Sequence, residues 1–176
     1  MKFNNFFNNF KEYIITFMIS IILGMILHQF IGFTKVNGLS MFPTLNNKDF
    51  LVFTKFDKYK NSIDNGDIIV FDTTPNVKSR YKKIYYIKRV IGKAGDHILI
   101  KNGKVFLNGV EIIESYVDDL RTEGNIDIKI PNNKYFVLGD NRDGSSDSRV
   151  FGLVNHHDIV GVTKLRLFPF KSITML

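Results

Sequence analysis

Asn37-Gly38-Leu39-Ser40-Met41-Phe42-Pro43-Thr44-Leu45 divides the chain into two unlike parts, a long apolar run before it and short alternating segments after it. Gly38 permits a close approach or an unusual backbone angle, and Pro43 biases Phe42 toward an extended conformation. Between them, Ser40 is flanked by the large apolar side chains of Leu39 and Met41. Two readings fit that hydroxyl. It is a turn serine bonded to its own backbone, or a nucleophile held by stiff flanking residues.

Upstream, residues 13–33 are almost wholly apolar. As a helix these 21 positions would extend about 30 Å, the thickness of a bilayer core. A cleaved secretory signal would have a shorter apolar core ending in small residues. Here His28-Gln29-Phe30-Ile31-Gly32-Phe33 follows with no small-x-small site, which favours a retained anchor. The expected organisation is a short cytoplasmic N-terminus over 1–12, a transmembrane anchor over 13–33 and an extracytoplasmic domain over 34–176. Lys2, Lys11 and Lys35 give a weak orientation signal, and long domains translocate largely regardless of charge.

Downstream, period-2 or fully apolar segments at 50–53, 68–71, 84–91, 97–100, 104–107, 126–130, 135–138 and 160–167 read as strands. Turn signals such as Asn65-Gly66-Asp67, Ala94-Gly95-Asp96 and Asn108-Gly109 separate them. Lys101-Asn102-Gly103-Lys104 has the form of a two-residue type I′ hairpin. Helical periodicity comparable to the anchor does not recur, and at most a short helical turn is expected near 44–47 and another near 156–158. The fold class is therefore mainly β, with antiparallel sheets behind one N-terminal transmembrane helix and a small β insertion around 97–134. The acidic stretch 111–124, with Glu111, Glu114, Asp118, Asp119 and Glu123, reads as a surface excursion.

Composition narrows the partners. Lysine and arginine exceed aspartate and glutamate by 24 − 17 = +7, which suits an anionic partner, nucleic acid or lipid headgroups. The reading adopted is anionic membrane lipid and no nucleic acid. Phe42, Phe53, Phe56, Phe168 and Phe170, with Lys55, Lys58 and Lys60 near in sequence, could rest the domain on a bilayer or be plain core. Without cysteine, a disulfide framework and a thiolate metal site are both excluded.

Two further stretches carry chemistry. In Tyr86-Ile87-Lys88-Arg89-Val90-Ile91-Gly92, a strand places Lys88 on one face between Tyr86 and Val90. Such a lysine either lays its stem along apolar neighbours with its head in water, or is desolvated and able to exist as a neutral amine. Gly139-Asp140-Asn141-Arg142-Asp143-Gly144-Ser145-Ser146-Asp147-Ser148-Arg149 is either a solvated polar loop or a hydrogen-bonded one that positions something. Asp147 and Arg149 could pair within it, and Ser145 could bond an amine.

Taken together, these stretches resemble the ordered sequence boxes of bacterial type I signal peptidases, in a short Gram-positive-like form. Residues 37–45 resemble the nucleophile box, Gly66-Asp67-Ile68-Ile69-Val70-Phe71 a following strand box, residues 86–96 the general-base box and residues 139–149 the last box. The resemblance implies a Ser/Lys dyad with Ser40 as nucleophile and Lys88 as base. It implies that Ser145 orients the lysine, that Asp147 and Arg149 form an ion pair, and that Asp140 and Arg142 support the loop. Val36, Gly38, Met41, Leu45, Tyr86 and Ile87 fall at substrate-binding positions. No cofactor and no metal are implied, and His28, His97, His156 and His157 are given no catalytic role. The implied substrates are secretory preproteins whose signal peptides end in a small-x-small site, bound as an extended strand. Gly38 departs from members with a serine there, which leaves the second oxyanion donor open; position 144 is glycine where asparagine is common, and Lys93-Ala94 replaces a frequent Leu-Pro. Competing readings are a membrane-tethered binding module, a homologue that binds signal peptides without cutting, a conjugation-type peptidase with the same kind of serine–lysine dyad, and a self-cleaving repressor that shares it too, the last disfavoured by the apolar run and the lack of a helix-turn-helix pattern.

Overall fold

The computed structural model describes residues 2–73, 84–117 and 121–176. It opens with helix α1 (Lys2–Phe30), whose stretch Phe10–Phe30 is long and apolar enough to cross a membrane and is 0% buried in the protein. The helix stops three residues before the expected end of the span. Residues 31–33 instead begin strand β1 (Ile31–Lys35), which pairs in unbroken register with β2 (Phe50–Thr54), from Ile31↔Thr54 to Lys35↔Phe50. Gly32 makes this possible, because a Cβ there would lie 2.2 Å from the Phe53 ring. That contact also buries Phe53, so Phe53 belongs to the core, while Phe42, Phe56, Phe168 and Phe170 are exposed.

The remaining elements are a helical turn α2 (Phe56–Tyr59), β3 (Ile68–Asp72), β4 (Tyr85–Gly92), β5 (His97–Lys101), β6 (Lys104–Leu107), β7 (Val110–Glu111), β8 (Ile126–Lys129), β9 (Lys134–Leu138), the helical turn α3 (Ser148–Phe151), β10 (Val154–Asn155), β11 (Ile159–Phe168) and β12 (Thr174–Met175). They form one sheet in the order β1-β2-β11-β3-β4-β9-β10, with β12 added to β11, and a second in the order β7-β6-β5-β8. The recorded strand pairs are antiparallel. The fold is mainly β, as the alternating segments implied. The 44–47 stretch forms turns rather than helix, and 156–158 is a 3₁₀ turn.

Asn102 and Gly103 both have positive φ, 56° and 77°, which a type I′ hairpin requires, and Lys101 pairs with Lys104 across it. Burial follows the sheets. Ile69, Phe71, Val90, Val137 and Ile159 pack on one face of the large sheet. Ile98, Ile100, Ile130 and Phe136 join the two sheets, and Met41, Leu45, Leu51 and Ile68 close the third cluster below the Ser40 turn.

The stretch 111–124 is not simply a surface excursion. Its Glu114, Val117 and Thr122 are buried, and Arg142 reaches across from the loop after β9 to bond Glu114 and Thr122. Glu111 and Glu123 are exposed, and Asp118 and Asp119 lie outside the described residues.

Candidate active site

Ser40 opens a tight turn whose interior residues are fixed from below. Met41 and Leu45 are 1% and 0% exposed, and Leu45 N–H donates to Met41 O at 2.8 Å. From above, Asn141 N–H donates to Ser40 O at 3.2 Å, and Asn141 Nδ2 donates to Leu39 O at 3.1 Å. The loop after β9 therefore clamps both sides of the serine peptide. The close packing depends on Gly139, where a Cβ would fall 2.4 Å from Ser40 O.

Lys88 comes from the middle of β4, opposite Ile69 of β3, and is 4% exposed. Its Nζ lies 2.8 Å from Ser40 Oγ and 3.1 Å from Ile87 O, with the Tyr86 ring centroid 5.3 Å away. Burial among these groups disfavours the ammonium and lowers its pKa to about 8, against the upward pull of the Asp147 and then the Asp140 carboxylate. An amine in this range is neutral often enough near neutral pH to accept a hydroxyl proton.

Both carboxylates are locked. Asp147 receives Arg149 Nε and Nη2, each at 2.9 Å, and Gly139 N–H at 3.1 Å. Asp140 receives Arg89 Nε at 2.9 Å, Arg89 Nη2 at 2.7 Å and the Thr44 hydroxyl at 2.5 Å. The two carboxylates have side-chain exposures of 0%, and each meets its arginine in the bidentate geometry that makes such pairs strong. Arg142 pairs with buried Glu114 at 2.5 Å and donates to Gly139 O at 3.1 Å.

Ser145 differs from expectation. Its Oγ is buried without a hydrogen-bond partner, and Lys88 bonds Ser40 and Ile87 instead. The hydroxyl is packed toward Gly139 Cα, so in this arrangement it does not reach the amine.

A cavity of about 230 Å³ opens beside the dyad. Val36, Met41, Tyr86 and Ile87 line it as expected of substrate-binding positions, joined by Thr34, Tyr85 and Ser146, which sequence reasoning missed. Leu45 does not line it, because its side chain points into the core beneath Met41. Gly38 is also absent from the wall; it has φ +109°, and its N–H is bonded to Asn47 Oδ1 at 3.1 Å. Ser40 N–H donates no bond among the described residues. Thr44, Arg89, Glu114, Thr122 and Asn141 were also missed as supporting groups. Arg89 had a signal, since its adjacency to Lys88 puts it on the opposite strand face; Glu114 had none.

Residues 10–168 match the family model described as signal peptidase, peptidase S26. Among curated proteins, the chain is 39% identical over 178 residues to signal peptidase I P of Bacillus subtilis subsp. natto, covering 94% of this chain and 93% of that one. It is 33% identical over 168 residues to signal peptidase I S of Bacillus subtilis, covering 88% and 87%. A crystal structure of a signal peptidase I from Enterococcus faecalis superposes with a TM-score of 0.48 at 29% identity, over 57% of this chain and 95% of that one. The family match and the curated relatives define a serine peptidase, a hydrolase. The chain belongs to the signal peptidase family, peptidase S26.

Proposed function

We propose that this chain is a membrane-anchored endopeptidase that removes signal peptides from secretory preproteins, with Ser40 as nucleophile and Lys88 as general base. The observation that carries the reading is the 2.8 Å separation of Lys88 Nζ and Ser40 Oγ, with the lysine itself buried.

In the reaction, neutral Lys88 takes the Ser40 proton as Oγ bonds to the scissile carbonyl carbon. The carbonyl oxygen becomes an oxyanion facing the unused Ser40 N–H. Collapse breaks the C–N bond, and the Lys88 ammonium passes its proton to the leaving amine. Water then bonds through its oxygen to the acyl carbon as Lys88 takes its proton, the bond from that carbon to Ser40 Oγ breaks, and the Lys88 ammonium returns the proton to Ser40 Oγ as the new carboxyl end leaves.

The substrate binds as an extended strand. Residues 85–88 of β4 pair with β3 along one edge, whereas β9 takes up the other edge only from Arg89 onward. The free edge supplies main-chain hydrogen bonds, and the cavity beside it supplies a side-chain pocket. Val36, Met41, Tyr86 and Ile87 wall that cavity and receive the side chains before the cut, which in this reading are small. Asp147, Arg149, Asp140 and Arg142 hold the loop that clamps Ser40, and Ser145 approaches Lys88 once substrate displaces the present packing. α1 anchors the chain, with 1–12 in the cytoplasm, the domain on the extracytoplasmic side and its exposed aromatics against anionic lipid.

The test is cleavage of a preprotein by purified full-length chain. Ser40→Ala and Lys88→Ala each abolish turnover while the melting transition survives. Turnover that persists in Lys88→Ala removes the dyad.

A further inference from the structure

Away from the dyad, α1 and α2 enclose a cavity of about 590 Å³. One helix face lines it in the order Ile21, Gly24, Met25, His28, Gln29, the i, i+3, i+4, i+7, i+8 spacing of a single stripe. The stripe is apolar where it lies deepest in the span and polar where it meets the domain. At the polar end the cavity is closed by Lys55 and Tyr59. A second cavity, of about 410 Å³, shares His28 and Lys55.

This junction is held in place. Lys55 N–H donates to Phe30 O at 2.9 Å, and the Phe30 and Phe56 rings meet edge-on with centroids 6.4 Å apart. The other lysines around α2 are engaged. Lys58 Nζ donates to His157 O at 3.2 Å, Lys60 lies 4.4 Å from the Phe56 ring centroid and Lys164 pairs with Asp57 at 3.2 Å. Lys55 has no anionic side-chain partner among the described residues and faces both cavities. Gly24 leaves the groove floor open, with nothing within 4 Å of a Cβ built there.

We infer that this groove is a site for one anionic phospholipid, its phosphodiester at Lys55, His28 and Tyr59 and its upper acyl chain against Ile21, Gly24 and Met25. The charge selects the ligand class, since an unpaired ammonium above an apolar channel matches an anion carried on a hydrocarbon tail. A free inorganic anion would leave the apolar half empty, and a zwitterionic lipid would place a cation beside Lys55. The inference rests on α1 spanning the membrane.

Native mass spectrometry of the full-length chain released from nanodiscs tests it, with phosphatidylglycerol and phosphatidylcholine as probes. A one-to-one phosphatidylglycerol adduct is expected in excess over phosphatidylcholine. Lys55→Gln should cut the adduct about fivefold, the factor one basic residue near a membrane surface supplies, and Gly24→Phe should abolish it by filling the groove. Both variants should hydrolyse a short soluble peptide as the parent does. Equal adducts with the two lipids, adducts unchanged in both variants, or displacement by millimolar inorganic phosphate would each overturn the site. A raised KM for preprotein in Gly24→Phe with the lipid adduct intact would assign the groove to the substrate's apolar helix and also overturn it. Resistance of the parent chain to alkaline extraction reports the anchor separately, so loss of the site and loss of the span are distinguishable.

Discussion

Lys88 is a group whose stability cost and chemical use have the same origin. Its pKa falls from 10.5 to about 8, so between those values the unfolded chain keeps a proton that the native state has shed. Stability therefore rises with pH across that window and is lost as pH falls through about 8. At pH 7 the fold carries a buried ammonium at up to about 3 kcal/mol. Lys88→Met is expected to melt higher than the parent at pH 7, with the advantage vanishing near pH 10.5, as thermal melts at the two pH values would show. Activity should disappear with it, the usual exchange at a functional site. A second prediction concerns the carboxylates. Asp147 pulls the lysine toward its charged form, and the Arg149 fork bonded to that carboxylate places an opposing positive charge beside it. Arg149→Met should shift the acid limb of kcat/KM upward by about one pH unit, and adding Asp147→Asn should shift it back. An unmoved limb in Arg149→Met would remove the electrostatic role. Of this detail the sequence carried the identities. An amine between Tyr86 and Val90 could be buried or wet, and only the packing of the Ser40 turn over β4 decides which.

At the scale of elements, strands with period-2 or fully apolar patterns are legible to within a residue or two, as β5 illustrates for the first and β3 for the second. The failures share a cause, which is that tertiary partners overrode local pattern. In sequence β1 looks like the tail of an apolar helix because Ile31 and Phe33 suit either state, and its pairing with β2 decides the matter. Two-residue strands such as β7 and β10 exist through their neighbours alone. The 111–124 stretch looked solvated because its acids carry no period, yet Glu114 is the buried counter-ion of Arg142. Tyr116 extends the link, donating to Glu114 at 2.7 Å while its ring lies 3.9 Å from the Arg89 guanidinium. The excursion thus braces the loop that clamps Ser40. Glu114→Ala leaves Arg142 buried and unpaired, a loss of about 3–5 kcal/mol. Chemical denaturation should show that loss, and at a temperature where the variant stays folded kcat should still fall, because Arg142 also holds Gly139 O. Unchanged stability would mean that water reaches Arg142 and that the brace is dispensable.

For the whole molecule, the junction between the apolar helix and the β domain falls at Phe30/Ile31 rather than after residue 33, and this changes where the chain can be cut. β1 is an edge strand whose five residues all pair with β2, and its Thr34, with Val36 just beyond its end, lines the cavity beside Ser40. Helix and site are therefore joined through one strand, with no flexible linker between them. Removing residues 1–30 deletes an element that is 0% buried in the protein over its apolar stretch and leaves every strand intact. That truncation is expected to be recoverable without membranes, to melt within a few degrees of the full chain and to cleave a short peptide at a similar kcat. Removing residues 1–36 strips β1 from β2, uncovers Phe53, takes Val36 out of the cluster beneath the Ser40 turn and removes one cavity wall. Burial of those two side chains, Phe53 and Val36, is worth about 1.5–3 kcal/mol each, a large share of the stability of a domain this size. The longer truncation should melt well below the shorter one and show a raised KM before any loss in kcat. Equal melting and equal KM for the two truncations would mean that β1 adds nothing to either the sheet or the pocket, and the coupling of anchor to site through this strand would be wrong.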